Sequence, residues 1–84
     1  MVQVKYRIKN EEGLHARPAS DFCKVAGGFK SNITLLKDGE EYDAKSILMV
    51  LCMGAVKGEV IEIRADGDDE QQAVDALIES LDRD

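Results

Sequence analysis

The hydrophobic period of this chain switches repeatedly along its length, and that switching narrows the folds open to it. Val2, Val4, Tyr6 and Ile8 alternate with Gln3, Lys5, Arg7 and Lys9, a period of two that marks a half-buried strand. Beyond Pro18, the residues Ala19, Phe22, Cys23 and Ala26 fall at i, i+3, i+4 and i+7, one face of a helix that Gly27-Gly28 ends. Ser31 to Leu36 returns to the strand period with Ile33 and Leu35 inward. Asp38-Gly39 is a tight-turn signal leading into a short strand at Glu40–Ala44. Val60–Ala65 is a fourth strand, with Ile61, Ile63 and Ala65 opposite Val60, Glu62 and Arg64. Asp68 or Asp69 is expected to cap a last helix, with Glu70 near its positive end. The buried face of that helix is Ala73, Val74, Leu77, Ile78 and Leu81.

The run Ile47–Met53 is apolar at every position, so periodicity leaves a helix and a buried strand both open. Ser46 as N-cap, Gly54 just past the end and the Leu/Met content favour a short helix. The element order is then β-α-β-β-α-β-α, an α+β class with helices on one face of an antiparallel sheet. No repeat, linker or low-complexity tract interrupts it, and 84 residues make a single domain, 1–84.

Charge is unevenly spread. Residues 1–58 carry nine Lys/Arg against seven Asp/Glu, whereas residues 59–84 carry two against ten, which together give the net −6. Nucleic-acid binding wants a basic face and is disfavoured; an anion-handling site belongs in the first 58 residues. No apolar run approaches the ~20 residues of a membrane span, and the first residues run directly into strand alternation, so a cytoplasmic protein is expected. Cys23 lies in the helical stripe and Cys52 in the apolar run, and both are expected to fill the core as small hydrophobes. With one histidine and no cysteine at ligand spacing, no metal site is expected.

That histidine stands in Gly13-Leu14-His15-Ala16-Arg17-Pro18-Ala19, where a loop turns into the first helix. Pro18 lies near the first turn, where helix starts tolerate it. Backbone N–H groups there lack intrahelical partners, and the helix dipole favours negative charge. Arg17 adds a permanent cation whose fork of donors suits phosphate. An imidazole beside such an anion site can act as a nucleophile toward phosphorus. From the residues alone, a surface or capping histidine remains open beside this reading.

The segment 13–19 resembles the active-site signature of the HPr family, the histidine-containing carriers of the bacterial phosphoenolpyruvate-dependent sugar phosphotransferase system. Lys45-Ser46-Ile47-Leu48 and Gly54-Ala55-Val56-Lys57-Gly58 resemble the family's second signature, around its regulatory serine. The resemblance spans essentially the whole chain. It implies an open-faced β-sandwich, with a four-stranded antiparallel sheet covered on one face by three helices. It also implies that His15 is phosphorylated on Nδ1 by phospho-enzyme I and donates to sugar-specific IIA components, with Arg17 assisting the phosphate. The chain would be a substrate in a relay, not a turnover enzyme. It would need no cofactor, the Mg²⁺ being required by enzyme I, and would act as a monomer.

Ser46 reads as an N-cap and, by the resemblance, as a serine that an HPr kinase/phosphorylase modifies so that a catabolite-control repressor can bind. A phosphate at a helix N-terminus is tolerated by the dipole, so modification need not unfold the helix. A helix apolar on every side cannot bury all of itself against one sheet. Val50 and Met53 are expected inward, leaving Ile47, Leu48 and Leu51 as a docking surface. Lys24 and Lys45 would supply charge at its rim. Met49 departs from the glycine or lysine common in relatives. Two other readings compete with phosphoryl carriage: a purely regulatory binding module acting through Ser46, and a generic small scaffold whose histidine is incidental.

Overall fold

The structure, a computed structural model, describes residues 1–14 and 16–83, with Ala16 described in its backbone only. The alternating stretches form strands β1 (Val2–Arg7), β2 (Asn32–Lys37), β3 (Glu40–Asp43) and β4 (Val60–Asp66). The helical stretches form α1 (Ala16–Gly27), α2 (Ile47–Met53) and α3 (Glu70–Arg83). The expected order and the α+β class hold, and β3 ends one residue earlier than its pattern predicted.

The strands make one antiparallel sheet in the order β1-β4-β2-β3. Ile63 of β4 pairs with Val4 on one side and Leu35 on the other, so three inward residues form a row on the helix-covered face. Gln3, Arg64, Thr34 and Asp43 form the corresponding row on the open face. Between sheet and helices, Phe22, Leu35, Ile61, Ile63, Val74 and Leu77 are fully buried. The β2–β3 hairpin turns on Asp38 and Gly39, whose φ angles of 52° and 83° are the left-handed pair a two-residue turn requires.

The last helix differs from expectation at its start. Asp69 does precede α3, and its carbonyl accepts the Ala73 N–H at 2.9 Å. Its carboxylate, however, reaches across to the loop after α1 and accepts the backbone N–H groups of Lys30 and Ser31 and the Ser31 hydroxyl. Those three donors, led by the Ser31 hydroxyl, hold the Asp69 carboxyl below the usual carboxylate range. Glu70 takes over locally by accepting the Gly67 N–H at 3.2 Å. Sequence spacing identifies a capping residue but not a competing set of donors brought in from another loop.

The expectation for Cys52 is overturned. Cys23 is half-buried on α1, but Cys52 is exposed. Val50 and Met53, one helical turn apart, are the residues of α2 that reach the core, and position 52 points off that stripe. Among the described residues, no helix is long and apolar enough to cross a membrane.

Candidate functional site

His15, the predicted phosphoryl acceptor, lies outside the described residues, but the chain on either side of it is in place. The Asn10 carbonyl accepts the Gly13 N–H at 3.0 Å, and the Asn10 side-chain oxygen accepts the Glu12 N–H at 2.8 Å, so residues 10–13 form a tight turn. Leu14 is buried and donates its N–H to the Ala55 carbonyl at 2.9 Å. Gly13, at φ +71°, lies so close to this segment that a Cβ would run into the Ala55 carbonyl and stand 2.9 Å from Val56 Cα. The two signature segments, distant in sequence, are therefore in direct backbone contact.

The second segment is fixed independently. Gly54 adopts φ 63°, ψ 31° and donates its N–H to the Leu51 carbonyl, closing α2 as a left-handed cap. Lys37, on the inward face of β2, donates to the Met53 carbonyl at 3.1 Å and pairs with Glu59 at 3.3 Å. A cation at the last carbonyls of a helix offsets its negative end. Glu59 in turn accepts the Val56 N–H at 2.8 Å, and that bond, with Lys37 behind it, lowers the pKa of its carboxyl. Gly58 donates to the Ile8 carbonyl and Ile8 to the Glu59 carbonyl, both at 2.8 Å, tying the loop to the end of β1. Sequence reasoning missed Lys37 and Glu59 because they read as ordinary strand-end charges.

Arg17 is exposed in the first turn of α1, a turn that contains no acidic residue. A cation at the positive end of a helix dipole is locally unfavourable, and a bound anion would relieve it. Arg17 faces a cleft of about 250 Å³ whose wall also carries Asn10, Glu12, Pro18 and Arg83.

Ser46 is the N-cap of α2, and its hydroxyl accepts the Met49 N–H at 3.3 Å. Val50 and Met53 are buried, while Ile47, Leu48 and Leu51 are 44%, 69% and 38% exposed, the inside–outside division expected from the apolar run. Met49 shares the exposed surface. Lys45, at the start of this face, donates to the Phe29 carbonyl at 2.8 Å and so joins it to the loop after α1. Lys24 is exposed on α1 and lines a groove with Asp21, Val25, Ser80 and Arg83, toward α3. Among the described residues, no group of His, Cys, Asp and Glu side chains could hold a metal ion.

Comparison with known proteins agrees with this arrangement. The family described as PTS HPr component phosphorylation site matches residues 2–83. The phosphocarrier protein HPr of Cupriavidus necator is 40% identical over 78 residues, covering 93% of this chain and 88% of that protein. The crystal structure of HPr-C-His from Thermoanaerobacter tengcongensis superposes with a TM-score of 0.94 at 41% identity, covering 98% of this chain and 92% of that one. The catabolite repression protein Crh of Bacillus subtilis, solved as a domain-swapped dimer, has a TM-score of 0.78 at 36% identity, covering 99% and 95% of the two chains. With a family match along nearly its whole length and relatives of the same fold, the chain belongs to the HPr family, the phosphocarriers of the phosphotransferase system.

Proposed function

We propose that the chain carries a phosphoryl group on Nδ1 of His15, taking it from phospho-enzyme I and passing it to sugar-specific IIA components. The observation that carries this reading is the backbone contact between Leu14 and Ala55, which sets the residues flanking His15 beside the segment that ends α2. In the first step the imidazole nitrogen forms a bond to phosphorus as the bond to the donor breaks. In the second, the nitrogen–phosphorus bond breaks as the acceptor attacks. Arg17 and the free N–H groups at the start of α1 would stabilise the oxygens of the phosphoryl group in both steps. An open site of this kind holds the group loosely enough for onward transfer.

The exposed apolar face formed by Ile47, Leu48 and Leu51, with Lys45 at its start, is the surface proposed to dock enzyme I and the IIA proteins, whereas Lys24 lines the groove between α1 and α3 and would meet a partner only beyond that face. A second reading rests on Ser46, which caps α2 at the edge of that face. Phosphorylation of Ser46 by an HPr kinase/phosphorylase would add about −2 of charge there and switch which partner docks, a catabolite-control repressor among them. The similarity to Crh favours such a regulatory role, and the swapped dimer of that protein sets a dimer beside the expected monomer as the form to test by size.

The test is incubation with phosphoenolpyruvate, Mg²⁺ and enzyme I. An acid-labile, alkali-stable phosphate adduct that is absent from His15→Ala is the expected result. A folded chain that gains no adduct from active enzyme I would leave the Ser46 module as the function.

A further inference from the structure

The cleft beside Arg17 contains a second cation that the family signatures do not include. Arg83 is the last residue of α3, and packing of α3 against α1 brings it to the wall that Arg17 lines from the first turn of α1. Both side chains are exposed, and among the described residues neither guanidinium has a hydrogen-bond or ion-pair partner. Two guanidinium groups against the single carboxylate of Glu12 give this wall a net positive lining among the described residues, at the positive end of a helix with no acid in its first turn, in a chain whose net charge is −6. Favourable placement of Arg83 at the negative end of α3 accounts for a cation at that position. It does not account for the cleft that Arg83 shares with Arg17.

We infer that Arg83 is a second phosphate-binding residue, and that Arg17 and Arg83 together hold a phosphate dianion in the cleft between the start of α1 and the end of α3. Planar guanidinium forks suit tetrahedral oxyanions, and two of them approaching from different elements can take different oxygens. The Glu12 carboxylate on the same wall opposes an anion and keeps the hold weak, as a group meant for onward transfer requires. The cleft adjoins the chain on both sides of His15, so under the carrier reading, on which this role rests, the dianion is the phosphoryl group of phosphohistidine. A free phosphate has the same chemistry, and the two sources are separable.

The experiment compares the full chain with R83A, R83K and R17A in two arms. In the first, inorganic phosphate is titrated while the arginine Nε–H and residue 16–19 amide signals are followed by NMR. In the second, the proteins are equilibrated with enzyme I at a fixed phosphoenolpyruvate-to-pyruvate ratio, and the phosphorylated fraction and the ring pKa of phosphohistidine are measured. R83A should weaken the response to free phosphate and lower the ratio of phosphorylated to free protein by about two- to fivefold. It should also raise the ring pKa, because less of the phosphate charge is neutralised, and R83K should restore part of each effect. If R17A shifts these quantities and R83A shifts none, Arg83 is only a helix-end charge and the inference fails while the carrier reading stands. If His15 takes no phosphoryl group but free phosphate still perturbs both arginines, the cleft stands as a phosphate site and the carrier reading fails.

Discussion

The Leu14 N–H donates to the Ala55 carbonyl across 2.9 Å, joining the residue before His15 to the segment that follows α2. Through Lys37, Glu59 and Ile8, that contact is continuous with the hairpin and with β1. The approach to α1 is therefore set by the ends of β1 and β2 and by the segment that closes α2.

Gly13→Ala should disturb this contact more than any exposed change nearby. The added methyl meets the backbone of Ala55 and Val56, and φ of +71° disfavours any side chain. A loss of about 1–3 kcal/mol is expected, with phosphoryl uptake falling further than the melting temperature alone explains. Denaturation and uptake assays check it, and unaltered values in both would show that the 13–14 loop does not depend on this fit.

Ser46→Ala should cost about 1 kcal/mol by removing the hydroxyl that accepts the Met49 N–H. Ser46→Asp keeps a capping oxygen and places a negative charge at the positive end of α2, so its stability should stay near that of the parent. It should nevertheless slow transfer from enzyme I. Equal transfer rates for the parent and Ser46→Asp would remove the regulatory role assigned to this edge.

The two sides of α2 should respond oppositely to substitution. Leu48→Ser, on the exposed side, is expected to change stability by no more than about 0.5 kcal/mol and to raise the KM for enzyme I. Met53→Ala, on the buried side, should cost about 2–5 kcal/mol through the cavity it opens. An unaltered KM in Leu48→Ser would exclude this face as the docking surface.

One hydrogen bond should shape both flanks of the pH–stability curve. The Tyr6 hydroxyl donates to Asp82 at 2.7 Å, and Lys9 adds a second contact at 3.2 Å. Donation from Tyr6, then from Lys9, lowers the Asp82 carboxyl below its ordinary 3.8. The folded state therefore releases that proton more readily than the unfolded one, and the stability this gives is lost as pH falls below 3.8 toward the folded-state value. Burial, then the bond to Asp82, raises the Tyr6 phenol above its ordinary 10.0. The folded state thus keeps a proton that the unfolded chain gives up, and stability should fall as pH rises beyond 10.0. Tyr6→Phe should flatten both flanks in thermal melts across pH, and a curve superimposable on the parent's would overturn the assignment.

Much of the architecture was legible because its causes are local. The alternation of Val4 and Tyr6 with Lys5 and Arg7, the stripe from Ala73 to Leu81 and the Asp38-Gly39 turn each have one low-energy reading. Ser46 and Gly54 resolved the ambiguous run between them because a capping hydroxyl and a left-handed glycine close a helix, not a strand. Cys52 misled because a run that is apolar throughout does not mark its own buried stripe. The sheet selected Val50 and Met53.

The sequence by itself determined the seven elements, their order, the inward faces of β1, β2 and β4 and the segments in which phosphoryl chemistry would be sought. These follow from side-chain period and backbone preference over a few residues. Only the tertiary structure decided that Leu14 meets Ala55, that Lys37 closes α2, that Asp69 leaves its own helix for Ser31, and that Arg83 reaches the cleft of Arg17. Each of these joins residues distant in sequence. Such pairings are selected by packing and by the need of buried donors for acceptors, which no local pattern encodes.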